Sequence, residues 1–229
     1  MDRRTRGALL LAGLLVMTGF LSMRSQSRIP SGYTGRPFRD SLHSGGPQVI
    51  PGRLETAYYD LGGEGVAYHD ADASNNGSGV LNRDPLHQRP GVPMSICHFR
   101  EGEGVDISYV KDFADLNHTN MVVPEANQLY IGWEEDGEWT NYTVEVKKAG
   151  RYKITALYAF EDNHASFSLN NLKAADLKLP VNTGNWHSWN KAEVGSITFP
   201  VEGLHLLTLH YNKGANLAYF DFEIIGDSR

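Results

Sequence analysis

From residue 50 onward, apolar and polar side chains alternate with a period of two. That is the spacing of a strand with one buried face. Tyr142, Val144 and Val146 alternate with Asn141, Thr143 and Glu145. Past Ala149-Gly150, Tyr152, Ile154, Ala156, Tyr158 and Phe160 share one face, opposite Arg151, Lys153 and Thr155. The two runs read as a hairpin turning at Ala149-Gly150. Phe167 and Leu169 alternate likewise and stop at Asn170-Asn171. Ile197, Phe199 and Val201 lead into Glu202-Gly203, and Leu207, Leu209 and Tyr211 into Asn212-Lys213-Gly214. Phe220, Phe222 and Ile224 close the series. No segment carries a helical repeat. Short strands at roughly ten-residue spacing with Gly-containing turns predict an all-β fold, a β-sandwich of antiparallel strands.

Two stretches break the rhythm. Arg3, Arg4 and Arg6 precede an uncharged run from Gly7 to Met23 rich in Leu, Ala, Val and Gly. A basic start followed by an apolar run is the pattern of an export signal, and residues 1–26 are expected to be a signal peptide or an N-terminal anchor. Export would place the body outside the cytoplasm: secreted, periplasmic or at the cell surface. Residues 27–46 are rich in Ser, Gly, Arg and Pro and read as a linker whose C-terminal part packs on the domain at 47–229. Within that domain, residues 74–100 hold a Gly/Ser/Asn run followed by Pro85, Pro90 and Pro93. They are expected to form a long surface excursion between strands.

Charge narrows the partners. The 229 residues carry a formal net charge of −6. Arg3, Arg4, Arg6 and Arg24 against Asp2 give residues 1–26 a charge of +3 and leave −9 for the rest. So acidic a body argues against nucleic acid and other phosphate ligands. Cys97 is the one cysteine, so no intrachain disulfide can form.

The chemistry-bearing stretch is Thr183-Gly184-Asn185-Trp186-His187-Ser188-Trp189. An indole on a polar, turn-rich loop offers a flat apolar face with a polar edge. A pyranose ring presents a matching face. The alternative is that both indoles plug the end of the sandwich. Tyr68 precedes the polar excursion, and Asn216 begins the last strand. Tyr68 could equally be a core residue and Asn216 a turn former. A sugar cleft needs aromatic walls and a side-chain amide that both donates and accepts. Glu55 on the first long strand and Asp221 on the last could hold a structural Ca2+ if those strands pair. Both could also be ordinary exposed acids. Glu134, Glu135, Asp136 and Glu138 cluster in one turn, and a small glycosidase using Glu138 is a second possible function. A structural or adhesion sandwich without a sugar site is a third.

Taken in order, several stretches resemble a family 6 carbohydrate-binding module over residues 47–225. They are Pro51-Gly52-Arg53-Leu54-Glu55, Tyr59-Asp60, and Gly62-Gly63-Glu64-Gly65-Val66-Ala67-Tyr68-His69-Asp70. Further on come Glu103-Gly104-Val105-Asp106-Ile107, Gly137-Glu138-Trp139-Thr140-Asn141-Tyr142-Thr143-Val144, residues 183–189 and Asn216-Leu217. The resemblance implies a jelly-roll β-sandwich that binds β-linked polysaccharides, such as xylan or β-glucan, without cleaving them. It implies a sugar held between Tyr68 and Trp186 and hydrogen-bonded by Asn216, with Trp189 in a packing role. Modules of this family are usually attached to glycoside hydrolases, and this one is expected to act as a free binder or in partnership with separate enzymes. Two departures stand out. Ala57 occupies a place where the family often has a second Glu, which weakens the Ca2+ expectation. The insertion at 79–99 is longer than usual and is expected to reshape or cover the cleft.

Overall fold

The structure is a computed structural model and describes residues 28–40, 46–87, 89–161 and 163–226. The expected export segment at 1–26 lies outside them. The strands are β1 (Gln48–Ile50), β2 (Gly52–Glu55), β3 (Tyr68–His69), β4 (Ile107–Tyr109), β5 (Leu129–Ile131), β6 (Trp139–Val146), β7 (Gly150–Phe160), β8 (His164–Leu169), β9 (Leu172–Lys178), β10 (Trp189–Phe199), β11 (Gly203–His210) and β12 (Ala215–Gly226). One sheet runs β1-β6-β11-β8-β9 with β3 added beside β6. The other runs β10-β7-β12-β5-β4 with β2 added beside β12. The two layers form a jelly-roll β-sandwich. Every pairing between strands is antiparallel except that β1 runs parallel to β6.

The period-two faces meet between the layers. Tyr142 and Val144 of β6, Tyr152 and Ile154 of β7, Phe167, Leu207, Leu209, Phe220 and Phe222 are all sealed from solvent in one core. Burying a large side chain of this kind contributes about 1.5–3 kcal/mol. The hairpin expected at Ala149-Gly150 does not form. β6 belongs to the first sheet and β7 to the second, so the chain crosses between layers there. Alternation shows which side of a strand is buried, but two strands facing one core from opposite layers give the same alternation as two neighbours. Gly150 makes the crossing possible, since a Cβ there would lie 2.6 Å from the Gly226 carbonyl oxygen. A true hairpin joins β8 to β9. Its turn residues Asn170 and Asn171 have φ of +51° and +69°, the left-handed pair that tight hairpins require.

Residues 28–40, expected within a linker, pack on the sandwich. Arg36 bridges to Leu61, and Phe38 is buried and stacks on Tyr58 at 5.2 Å. β7 ends where β10 and β12 begin, through the registers Trp189↔Ala159 and Ala215↔Phe160. The connections at this end of the second sheet build the candidate site.

Candidate functional site

The loop before β10 is shaped by its own polar side chains. Asn182 Oδ1 accepts from the Gly184 N–H at 2.7 Å, and Asn185 Oδ1 accepts from the His187 N–H at 2.8 Å. Such side-chain-to-backbone bonds are how Asn fixes a turn. Gly184 supplies the left-handed residue, with φ +77°. The loop is anchored on β7, where the Phe160 N–H donates to Thr183 Oγ1 at 2.8 Å. Phe160 stacks against Trp186 with ring centroids 4.1 Å apart. Trp186 itself stays 41% exposed. Trp189, three residues on, is fully buried and donates from Nε1 to Asp115 Oδ1 at 2.8 Å. The two indoles thus divide their roles, one outward and one in the packing.

A cavity of about 520 Å³ opens beside Trp186, within the size range of small-molecule sites. Trp133 lines it as well and is 40% exposed. Trp133 sits in the connection from β5 to β6 with φ +55°, a conformation bulky residues seldom adopt and which costs about 1–2 kcal/mol. The backbone holds this indole out of the core at an energetic cost. Asn216 completes the group. It is 5% exposed, and its Nδ2 donates to the Trp186 carbonyl at 2.9 Å. Gly132 has no side chain because Asn216 Oδ1 occupies the space where its Cβ would lie.

Of the three residues expected to hold a sugar, the structure brings Trp186 and Asn216 to this cavity and not Tyr68. Tyr68 is 6% exposed and packs edge-on against Tyr59 at 5.5 Å. Its hydroxyl accepts from the Gly104 N–H at 3.1 Å. β3 turns Tyr68 inward and leaves His69 on the exposed side. The second exposed aromatic of the cavity is Trp133. The signal for it was present in the sequence, as a tryptophan among Gly132, Glu134, Glu135, Asp136 and Gly137, the same turn-rich setting that marks Trp186. The 79–99 insertion contributes Leu81 and His87 to the lining, so it walls the cavity rather than filling it.

The lining also holds a buried amine and a buried carboxyl. Lys111 follows β4 and is 4% exposed. Burial lowers its amine to about 8. Glu134 is 3% exposed, and its Oε1 has no hydrogen-bond partner. Burial, reinforced by the nearby Glu138 carboxylate, pushes its carboxyl well above the usual range.

Glu138, the candidate acid of a glycosidase, does not line the cavity. Its Oε1 accepts from the Ala71 N–H at 3.0 Å and its Oε2 from the Glu135 N–H at 2.9 Å. Both oxygens shape the loop. Glu55 and Asp221 lie on paired strands, as the Ca2+ expectation requires, but their surroundings do not fit a divalent cation. Asp221 accepts from Arg53 Nε at 3.0 Å and from Lys191 Nζ at 2.6 Å. Glu55 Oε2 accepts from Gln128 Nε2 at 2.8 Å. Two cations already sit on the Asp221 carboxylate. Among the described residues no cluster of three or more His, Cys, Asp or Glu side chains has the geometry to hold a metal.

The family model described as carbohydrate binding module (family 6) matches residues 98–225, more than half of the chain, and the chain belongs to that family. Similar solved structures include a family 6 module from Clostridium stercorarium in complex with cellobiose. It is 13% identical, with 80% of this chain and 100% of that chain covered and a TM-score of 0.46. A β-1,3-glucan-binding family 6 module from Bacillus halodurans is 15% identical, with 78% and 99% covered and a TM-score of 0.45. A family 6 module from Clostridium cellulolyticum in complex with xylose is 21% identical, with 46% and 84% covered and a TM-score of 0.35. No curated protein matches the sequence.

Proposed function

We propose that this protein binds a polysaccharide or oligosaccharide, without cleaving it, in the cavity lined by Trp133 and Trp186. The observation that carries the reading is that two indoles, 40% and 41% exposed, are held on separate loops around one cavity of about 520 Å³. Flat indole faces left in water beside a cavity are suited to stacking on pyranose rings. Asn216 and the Glu134 carboxyl, whose Oε1 has no partner of its own, supply the polar groups that hydroxyls need. Membership of a carbohydrate-binding family supports the same reading. β-Linked glycans such as xylan or β-glucan are the ligand class that the family resemblance favours. The basic and then apolar start of the chain supports export, which would put the binder where polysaccharides and separate glycoside hydrolases are found.

Affinity electrophoresis of the purified protein over a panel of polysaccharides tests the proposal. Retardation on at least one glycan, reduced by Trp186→Ala and by Trp133→Ala, is the expected result. Mobility unchanged on every glycan would favour a structural sandwich instead. Release of reducing ends that is lost in Glu138→Gln would favour a glycosidase.

A further inference from the structure

Of the two lysines in the cavity lining, Lys213 is paired with Glu135 and Lys111 has no ion-pair partner among the described residues. Its Nζ donates to Ser108 Oγ at 2.7 Å and to the Tyr109 carbonyl at 3.3 Å, and lies 4.1 Å from the centre of the Tyr109 ring. All these partners are neutral. Among the described residues no carboxylate comes within ion-pair distance of Nζ. The acid that acts on it electrostatically is Asp115. That carboxylate is fully buried and already committed. Its Oδ1 accepts from Trp189 Nε1 at 2.8 Å and faces His187 Nδ1 at 3.1 Å, and its Oδ2 accepts from the Lys111 backbone N–H at 2.7 Å.

A buried ammonium without an ion pair is costly, and proteins ordinarily pair such a charge. An amine titrating near 8 is still mostly protonated at neutral pH. The rest of the lining leaves room for an anion. Glu135 is paired to Lys213 at 2.9 Å, and burial favours the uncharged form of the Glu134 carboxyl. Beside them His87 and His187 also line the cavity.

The geometry points to a saccharide bearing an anionic substituent, a uronate carboxylate or a sulfate ester, which pairs with the Lys111 ammonium while its rings stack on the indoles. This inference rests on the proposed saccharide site and names its ligand class. It runs against the net charge of the body, which by itself disfavours anions. The reason is locality: a cavity lined by one unpaired cation is read at a few ångströms, whereas exposed surface acids farther than about 10 Å are screened by salt.

The test is calorimetry of the purified protein with uronate-containing oligosaccharides, with the same oligosaccharides after reduction of the carboxyl to a neutral hydroxymethyl group, and with sulfated neutral ones. The acidic form should bind about tenfold or more tightly than its reduced counterpart, and added NaCl should narrow the gap. Lys111→Met should abolish the preference and Lys111→Arg should retain it, with thermal unfolding of both variants reporting whether the fold survives. A sulfated ligand that outcompetes the uronate would support the anionic class and assign sulfate as its source. Equal or tighter binding of the reduced form to wild-type protein overturns the inference and leaves the saccharide site standing. No binding of any saccharide overturns both.

Discussion

The side-chain amide of Asn216 donates to the backbone carbonyl of Trp186 at 2.9 Å, so the start of strand β12 holds the loop that presents the exposed indole. The same carboxamide fills the space above Gly132, next to Trp133. One buried residue therefore sets the position of both loops that carry the cavity's aromatic walls. Asn216→Ala should cost about 0.5–1.5 kcal/mol of stability and weaken glycan affinity as the Trp186 loop loosens. Gly132→Ala, which forces a methyl group against Asn216 Oδ1, should weaken binding as well. Calorimetry and denaturant unfolding on the same samples check both.

Trp186→Ala and Trp133→Ala should each lower affinity by on the order of 1–3 kcal/mol, the scale of aromatic stacking on flat rings, with little change in melting temperature. Trp189→Ala should instead destabilise the fold by about 3–5 kcal/mol, because it empties a sealed core position. Tyr68→Phe should leave affinity unchanged and cost about 1 kcal/mol through the lost bond from Gly104. A Tyr68→Phe variant that binds poorly would return this residue to the site.

Asp115 ties the β4–β5 connection to the tryptophan loop through His187, Trp189 and the Lys111 backbone. Asp115→Ala strands buried donors and should cost about 3 kcal/mol or more. It should also quench the ordered signal of Trp189 in near-ultraviolet circular dichroism. Normal melting and an unchanged spectrum would remove Asp115 from this organising role.

Asp70, Asp106 and Glu138 are close enough to repel one another. Burial first, and the neighbouring carboxylates after it, push Asp70 up to about 7 and Asp106 up to about 6. Above pH 7 these groups are ionised in both states and the folded state bears the repulsion. As pH falls from about 7 towards 4 the folded state takes up protons that the unfolded state does not, so stability rises. Melting temperature should therefore increase between about pH 8 and pH 5. The gain is held to the order of 1 kcal/mol by solvent at the half-buried Asp70. Asp70→Asn keeps an oxygen for the Asp72 N–H and should flatten the profile. A melting temperature that falls steadily over that range would contradict the repulsion.

Asp221 lies between Arg53 and Lys191, and the Arg53 guanidinium stacks 3.5 Å above the Tyr219 ring. Removing divalent cations with a chelator, or adding Ca2+, should leave the melting temperature unchanged. A Ca2+-dependent rise would show that the ion displaces Lys191.

Local geometry is legible in the chain by itself. Alternation gives the buried faces of β6, β7 and β12, the Asn170-Asn171 pair gives a tight turn, and the turn-rich setting of Trp186 gives an exposed indole. Only tertiary structure decided that β6 and β7 lie in different sheets, that Tyr68 points inward while Trp133 points out, and that Asp221 meets two cations. Side-chain alternation depends on each strand's own backbone and on whether one side is dry. Strand partners, ring exposure and charge pairing depend on segments tens of residues away, whose approach is set by long-range register and by the space that neighbouring loops leave.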